Sequence, residues 1–145
     1  MKILVASLLA AAALSAAPAL AQDARPYDNG PVWVISNIQT KDGHFNDYMR
    51  YVTTSWKALQ EDSKKRGWVL DYKVLTAVDQ RDNEPDLYLM IEYKNMAAMD
   101  VSLDELDAQT KALEGSVTAS DKAFAARDTI RTLRGSIIAR ELILR

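Results

Sequence analysis

The sequence predicts an α+β domain, a four-stranded antiparallel sheet with its helices gathered on one face, on three observations. Segments of strand length, rich in β-branched and aromatic residues, recur along the chain. Segments with helical spacing separate the first two strands and the last two. The middle two are joined only by a short polar stretch, as in an antiparallel hairpin.

The first residues stand apart from this domain. MKILVASLLAAAALSAAPALAQ has one basic residue, Lys2, then an apolar run from Ile3 to Ala17 and a small-residue ending Ala19-Leu20-Ala21. It reads as a secretory signal, residues 1–21, cleaved before Gln22. The run is shorter than the roughly 20 residues a spanning helix needs, and Pro18 closes it. The expected product is exported, periplasmic or secreted, with no membrane span. Residues 22–30, QDARPYDNG, read as a flexible lead-in, and residues 31–145 as a single domain.

PVWVISNIQT, Pro31 to Thr40, is the first strand, with Val32, Val34, Ser36 and Ile38 alternating with Trp33, Ile35, Asn37 and Gln39. Lys41-Asp42-Gly43 ends it. In the helix that follows, Phe45, Met49, Val52, Trp56 and Leu59 recur at spacings of four and three, and Gly67 is a natural stop. Trp68 to Val78 forms the second strand. DQRDNEPD turns the chain into the third strand, DLYLMIEYK. Ser102-Leu103-Asp104-Glu105 carries the Ser-x-x-Glu of a capping box, which predicts a helix from about Leu103 to Glu114. A second helix is expected with Ser120 as its N-cap, Ala123, Ala126, Ile130 and Leu133 on one stripe, and Gly135 as its stop. SIIARELILR is the fourth strand.

The resulting order, β-α-β-β-α-α-β, is a ferredoxin-like layout with an additional helix before the last strand. Helices cover one face of such a sheet. The other still displays large apolar residues, because the third strand presents either Leu87, Leu89, Ile91 and Tyr93 or else Tyr88 and Met90. A small protein rarely leaves such a patch bare, and a second copy in a two-fold homodimer is the simplest cover.

Composition excludes several classes. The chain has 18 Lys and Arg against 20 Asp and Glu, a formal net charge of −2, so binding nucleic acid by phosphate neutralisation is not expected. Lys64-Lys65-Arg66 reads as a solvated helix end suited to the macrodipole. There is no cysteine, which excludes disulfides, thiol chemistry and iron–sulfur clusters.

WVISNIQTKDGHFNDYMRYV, DYKVLTAV, PDLYLMIEYKNMAAMD and RELILR resemble the dimeric α/β-barrel superfamily, in which two ferredoxin-like subunits join into one barrel. The resemblance runs from about Pro31 to the C-terminus and implies a fold rather than a reaction. The superfamily includes cofactor-free monooxygenases acting on quinol-type substrates, haem-degrading monooxygenases, relatives of chlorite dismutase and dye-decolourising peroxidases, and stress-responsive barrels. The haem-degrading branch is similar at Asn37, late in the first strand, and at Tyr93, where it has a tryptophan. It also implies a haem-ligating histidine after the third strand, and residues 95–114 contain none.

Each candidate residue carries a plain reading beside the functional one. His44 is the chain's one histidine, beside Asp42 and Gly43, and reads as a surface or capping residue. No second histidine or cysteine completes a transition-metal site, so neither metal nor cofactor is expected. Trp33, Trp56 and Tyr88 line either an aromatic pocket or a packed core or dimer interface. Asn37 either orients a ligand carbonyl or makes a cross-strand hydrogen bond. Asp121, Asp128, Arg127, Arg131 and Arg134 read as a solvated, salt-linked helix face.

Glu92 shares its side of the third strand with Tyr88 and Met90. A buried carboxylate there is either paired, with Arg140 or Arg145 as partner, or desolvated into a catalytic acid or base. Three functions are compatible with these residues. One is an exported homodimeric barrel that binds a small apolar or aromatic ligand, with Trp33, Asn37, Tyr88, Glu92, Tyr93 and Arg140 as candidate contacts. Another is a cofactor-independent monooxygenase with Glu92 as its proton acceptor. The last is an envelope stress or interaction protein.

Overall fold

The computed structural model describes residues 25–145; the signal segment and residues 22–24 lie outside the described residues. Strand β1 (Tyr27–Thr40) is followed by α1 (Phe45–Tyr51), a π-helical segment (Val52–Trp56) and α2 (Lys57–Lys65), which run on as one helix. Strands β2 (Asp71–Thr76) and β3 (Leu87–Tyr93) form the hairpin. A short 3₁₀ turn (Met96–Met99) then leads to α3 (Leu103–Glu114), α4 (Val117–Ala126) and β4 (Arg131–Leu144). The strands lie in the order β2-β3-β1-β4, every adjacent pair antiparallel. This α+β arrangement is compatible with a ferredoxin-like fold.

Alternation along β1 and β3 sorts the two faces. Val32, Ile38, Leu87 and Leu89 are buried, and Ile38, Leu87 and Leu89 pack with Tyr48, Val52 and Trp56 of the first helix. The Trp56 ring meets Tyr72 edge-on, with centroids 5.3 Å apart.

The helix buries Val52 and Trp56 of the expected stripe, with Met49 packed against the core, but the buried line takes in Tyr48 and Gln60 rather than Phe45 and Leu59. Tyr48, Val52, Trp56 and Gln60 point inward, each four residues beyond the last, while Phe45 is 40% exposed. In an α-helix each four-residue step overshoots a full turn by about 40°. The wider π turn of Val52–Trp56 takes that overshoot back, keeping the stripe straight against the sheet.

The ends of the domain also correct the sequence reading. The lead-in was expected to be flexible as far as Gly30, yet Tyr27 to Gly30 belong to β1. Tyr27 pairs with Leu144, Arg145 N–H donates to the Pro26 carbonyl, and the Arg145 guanidinium holds the Asp28 carboxylate. The expected helix through Leu133 stops at Ala126. Its N-cap is Ser116, whose hydroxyl accepts from the Ala119 N–H at 3.0 Å, and Ser120 lies inside the helix. Residues from Arg131 onward are already β4. Gly135 is therefore no helix stop; at φ +90° it sits in a β-bulge opposite Asn37, where β4 carries one residue more than β1.

The solvated arginine face is likewise not formed. Arg131 is only 2% exposed, bridged to Asp128 at 2.9 Å and stacked on Phe124. Arg127 lies 3.9 Å from the Tyr51 ring centroid, and Arg134 donates to the Asn83 carbonyl at 2.8 Å. Burial is the first cause pushing the Tyr48 hydroxyl up to about 12, with the neighbouring Tyr51 adding to it.

Candidate functional site

The face of the sheet turned away from the helices carries Trp33, Ile35 and Asn37 from β1, Tyr88, Met90 and Glu92 from β3, and Leu75 from β2. Cross-strand register sets these neighbours: Asn37 opposes Tyr88, Ile35 opposes Met90 and Ile137, and Trp33 opposes Glu92 and Ala139. Ile35, Leu75, Tyr88, Met90 and Ile137 surround a shallow hollow with almost wholly apolar walls, and Asn37 stands at its rim. Leu75 and Ile137 are half exposed. Among the described residues nothing covers this face.

Its other end is polar. The Trp33 indole N–H donates to Glu141 Oε2 at 3.3 Å, and Lys73 Nζ lies 4.9 Å from the Trp33 ring centroid. Glu92 stands between Trp33 on β1 and Asp71 on β2. Arg140 pairs with Val32, on the alternate side of the sheet, so it does not reach Glu92, and Arg145 is engaged by Asp28. Neither arginine that the sequence offered as a Glu92 partner takes that role within the chain.

The helix-covered side holds a second candidate, a cavity of about 280 Å³ between α2, α3 and the end of β3. Leu59, Ile91, Met99 and Leu106 form apolar walls, Trp68 and Tyr93 supply aromatic surface, and none of the lining residues is charged. Burial pushes the Tyr93 hydroxyl above its ordinary value. The polar wall consists of Gln60, Ser63 and Gln109, all buried. Gln109 Nε2 donates to Asp62 Oδ2 and to Ser63 Oγ, each at 2.9 Å, tying α3 to α2.

The six candidate contacts are thus divided. Trp33, Asn37, Tyr88 and Glu92 share the open face, Tyr93 lines the interior cavity, and Arg140 lies exposed on the alternate side of edge strand β4. Even on the open face they form two pairs four residues apart, Asn37 with Tyr88 and Trp33 with Glu92. Of the side chains that the proton-acceptor scheme offers to hold a substrate beside Glu92, Trp33, Asn37 and Tyr88 share its face of the sheet and Tyr93 does not. His44 bonds Asp47 at 2.9 Å in the first helical turn, and no group of three metal-ligating side chains occurs among the described residues. Gln60 and Gln109 went unnoticed in the sequence because a glutamine on a helix reads as solvated. Their one signal is position: Gln60 continues the four-residue stripe of Tyr48, Val52 and Trp56.

No family model matches the chain, and no curated protein matches it. Among solved structures it is similar to HapK from Hahella chejuensis, at 14% identity and a TM-score of 0.50, covering 76% of this chain and 91% of that one. PA3566 from Pseudomonas aeruginosa follows at 17% identity and a TM-score of 0.44, over 80% and 96% of the two chains. SO0527 from Shewanella oneidensis stands at 9% identity and 0.46, over 81% and 96%. At such identities the likeness is one of fold alone, that of a small α+β protein.

Proposed function

We propose that this is an exported homodimeric α/β-barrel protein that holds a small apolar or aromatic ligand in the cavity between its helices and its sheet. The observation that carries the ligand is the cavity itself, an uncharged space of about 280 Å³ walled by aliphatic and aromatic side chains with a few convergent polar groups. That volume lies just below the roughly 300–1,000 Å³ typical of sites for drug-sized ligands, so the occupant is ring-sized. The homodimer rests on the other face: a second copy laid sheet to sheet buries Ile35, Leu75, Met90 and Ile137, which otherwise meet water. Export rests on the amino-terminal signal pattern alone.

Native mass spectrometry of the protein purified gently from an envelope fraction tests the reading. The expected spectrum is a dimer with a reproducible small added mass per chain that denaturation removes. A dimer without added mass removes the ligand, and a clean monomer removes the barrel.

A further inference from the structure

Gln60 is 4% exposed and Gln109 3% exposed, and both line the interior cavity. Gln109 is committed on one side: its two N–H groups go to the Asp62 carboxylate and to Ser63. A carboxylate is an acceptor only, which fixes the orientation of that amide and leaves its Oε1 as a free acceptor. Gln60 is committed on neither side. Among the described residues no hydrogen bond engages its carboxamide, neither that amide nor Gln109 Oε1 is fully enclosed by protein, and both residues line the cavity. Water can partner these groups until a ligand displaces it, and a ligand that does not reproduce those hydrogen bonds loses affinity.

We infer that the cavity takes a neutral, ring-sized molecule whose polar edge carries an N–H or O–H donor beside a carbonyl acceptor, as in a lactam. The inference rests on the ligand-binding reading above. Gln60 supplies a donor and an acceptor at one place, Gln109 Oε1 supplies a further acceptor, and the Tyr93 hydroxyl stands on the same lining. Trp68, Leu59 and Ile91 receive the apolar body. A charged ligand is refused, because no lining side chain bears an opposite charge to offset its desolvation. A wholly apolar ligand of the same size is admitted but leaves the amides unpartnered, and sites built to hydrogen-bond discriminate strongly against analogues that lack the matching group.

The test is calorimetric titration of the purified, extensively dialysed protein with four probes of similar size: 2-quinolinone, N-methyl-2-quinolinone, naphthalene and 2-naphthoate. The expected result is 2-quinolinone binding at least tenfold tighter than the N-methyl compound and naphthalene, with 2-naphthoate weakest. In Gln60→Met, a change of similar volume at a side chain that holds no other element, 2-quinolinone should weaken at least tenfold and naphthalene stay within about twofold. The variant's Tm should be equal to or above that of the parent, which separates a lost contact from a lost fold. Equal affinity for naphthalene and 2-quinolinone would overturn the donor–acceptor edge while leaving the ligand cavity standing. Preference for 2-naphthoate would overturn neutrality. Discrimination that survives Gln60→Met would overturn the role of that amide, and binding of no probe would remove both this inference and the reading beneath it.

Discussion

Glu92 of β3 stands opposite Asp71 of β2, whose carboxylate Lys64 offsets only in part, and like charges directly opposed on a sheet repel. Replacing it with glutamine is expected to raise stability by about 0.2–1 kcal/mol, measured by urea unfolding; a loss of stability would mean that Glu92 has a partner after all. Ile38 presents the reverse case, 1% exposed in the main core. Ile38→Ala should cost about 2–5 kcal/mol through lost burial and the cavity left behind. Alternation alone placed Glu92 with Tyr88 and Met90 and kept it apart from Leu89. Alternation is blind to register, however, and register sets Arg140 opposite Val32 and brings the end of β4 beside Asp28, where Arg145 bridges to it. Between Asn29 and Val32 the pairing of β1 with β4 shifts by one residue, a step that no local composition announces.

At the scale of elements, the most legible signals were those whose chemistry is local. Ser102 caps α3 as its spacing from Glu105 foretold, accepting from the Glu105 N–H at 3.4 Å; the Glu105 carboxylate accepts from the Ser102 hydroxyl at 2.6 Å rather than from the backbone N–H of a full box. The α3–α4 junction was harder to read because Ser116 and Ser120 are equally good caps by type. What decides between them is Gly115, whose φ of +84° ends α3 and lets the next helix begin immediately. Ser116→Ala should therefore cost about 1 kcal/mol, while Ser120→Ala stays within about 0.5 kcal/mol; denaturant melts of the two variants side by side check the assignment. Gly135 misled for a related reason. A glycine with positive φ serves a helix end or a bulge equally well, and only pairing with β1 shows which. Gly135→Ala is expected to destabilise by roughly 1 kcal/mol or more, as a side chain at this φ is strained even with open space around it.

At the scale of the molecule, four aspartates among the described residues are held below their ordinary value of 3.8 by hydrogen bonds, chiefly from Arg145 to Asp28, His44 to Asp47, Arg66 to Asp62 and Lys64 to Asp71. A carboxyl lowered by folding stabilises fully above its unfolded value, and that contribution is lost as pH falls through the folded one. Tm should therefore decline as acidification passes below about pH 4, and Asp62→Asn should flatten part of the decline in a pH series of thermal melts. The two-faced sheet was legible in the alternation of β1 and β3, whereas the interior cavity was not, because a gap between layers is a property of packing rather than of any one segment. The open face is where two copies are proposed to meet. Sedimentation velocity of the protein beside its Ile35→Asp variant, over a wide concentration range, tests it most directly. A single dimeric species is expected for the parent and a folded monomer for the variant. A parent that sediments as a monomer throughout, or a variant that remains a dimer, would contradict it.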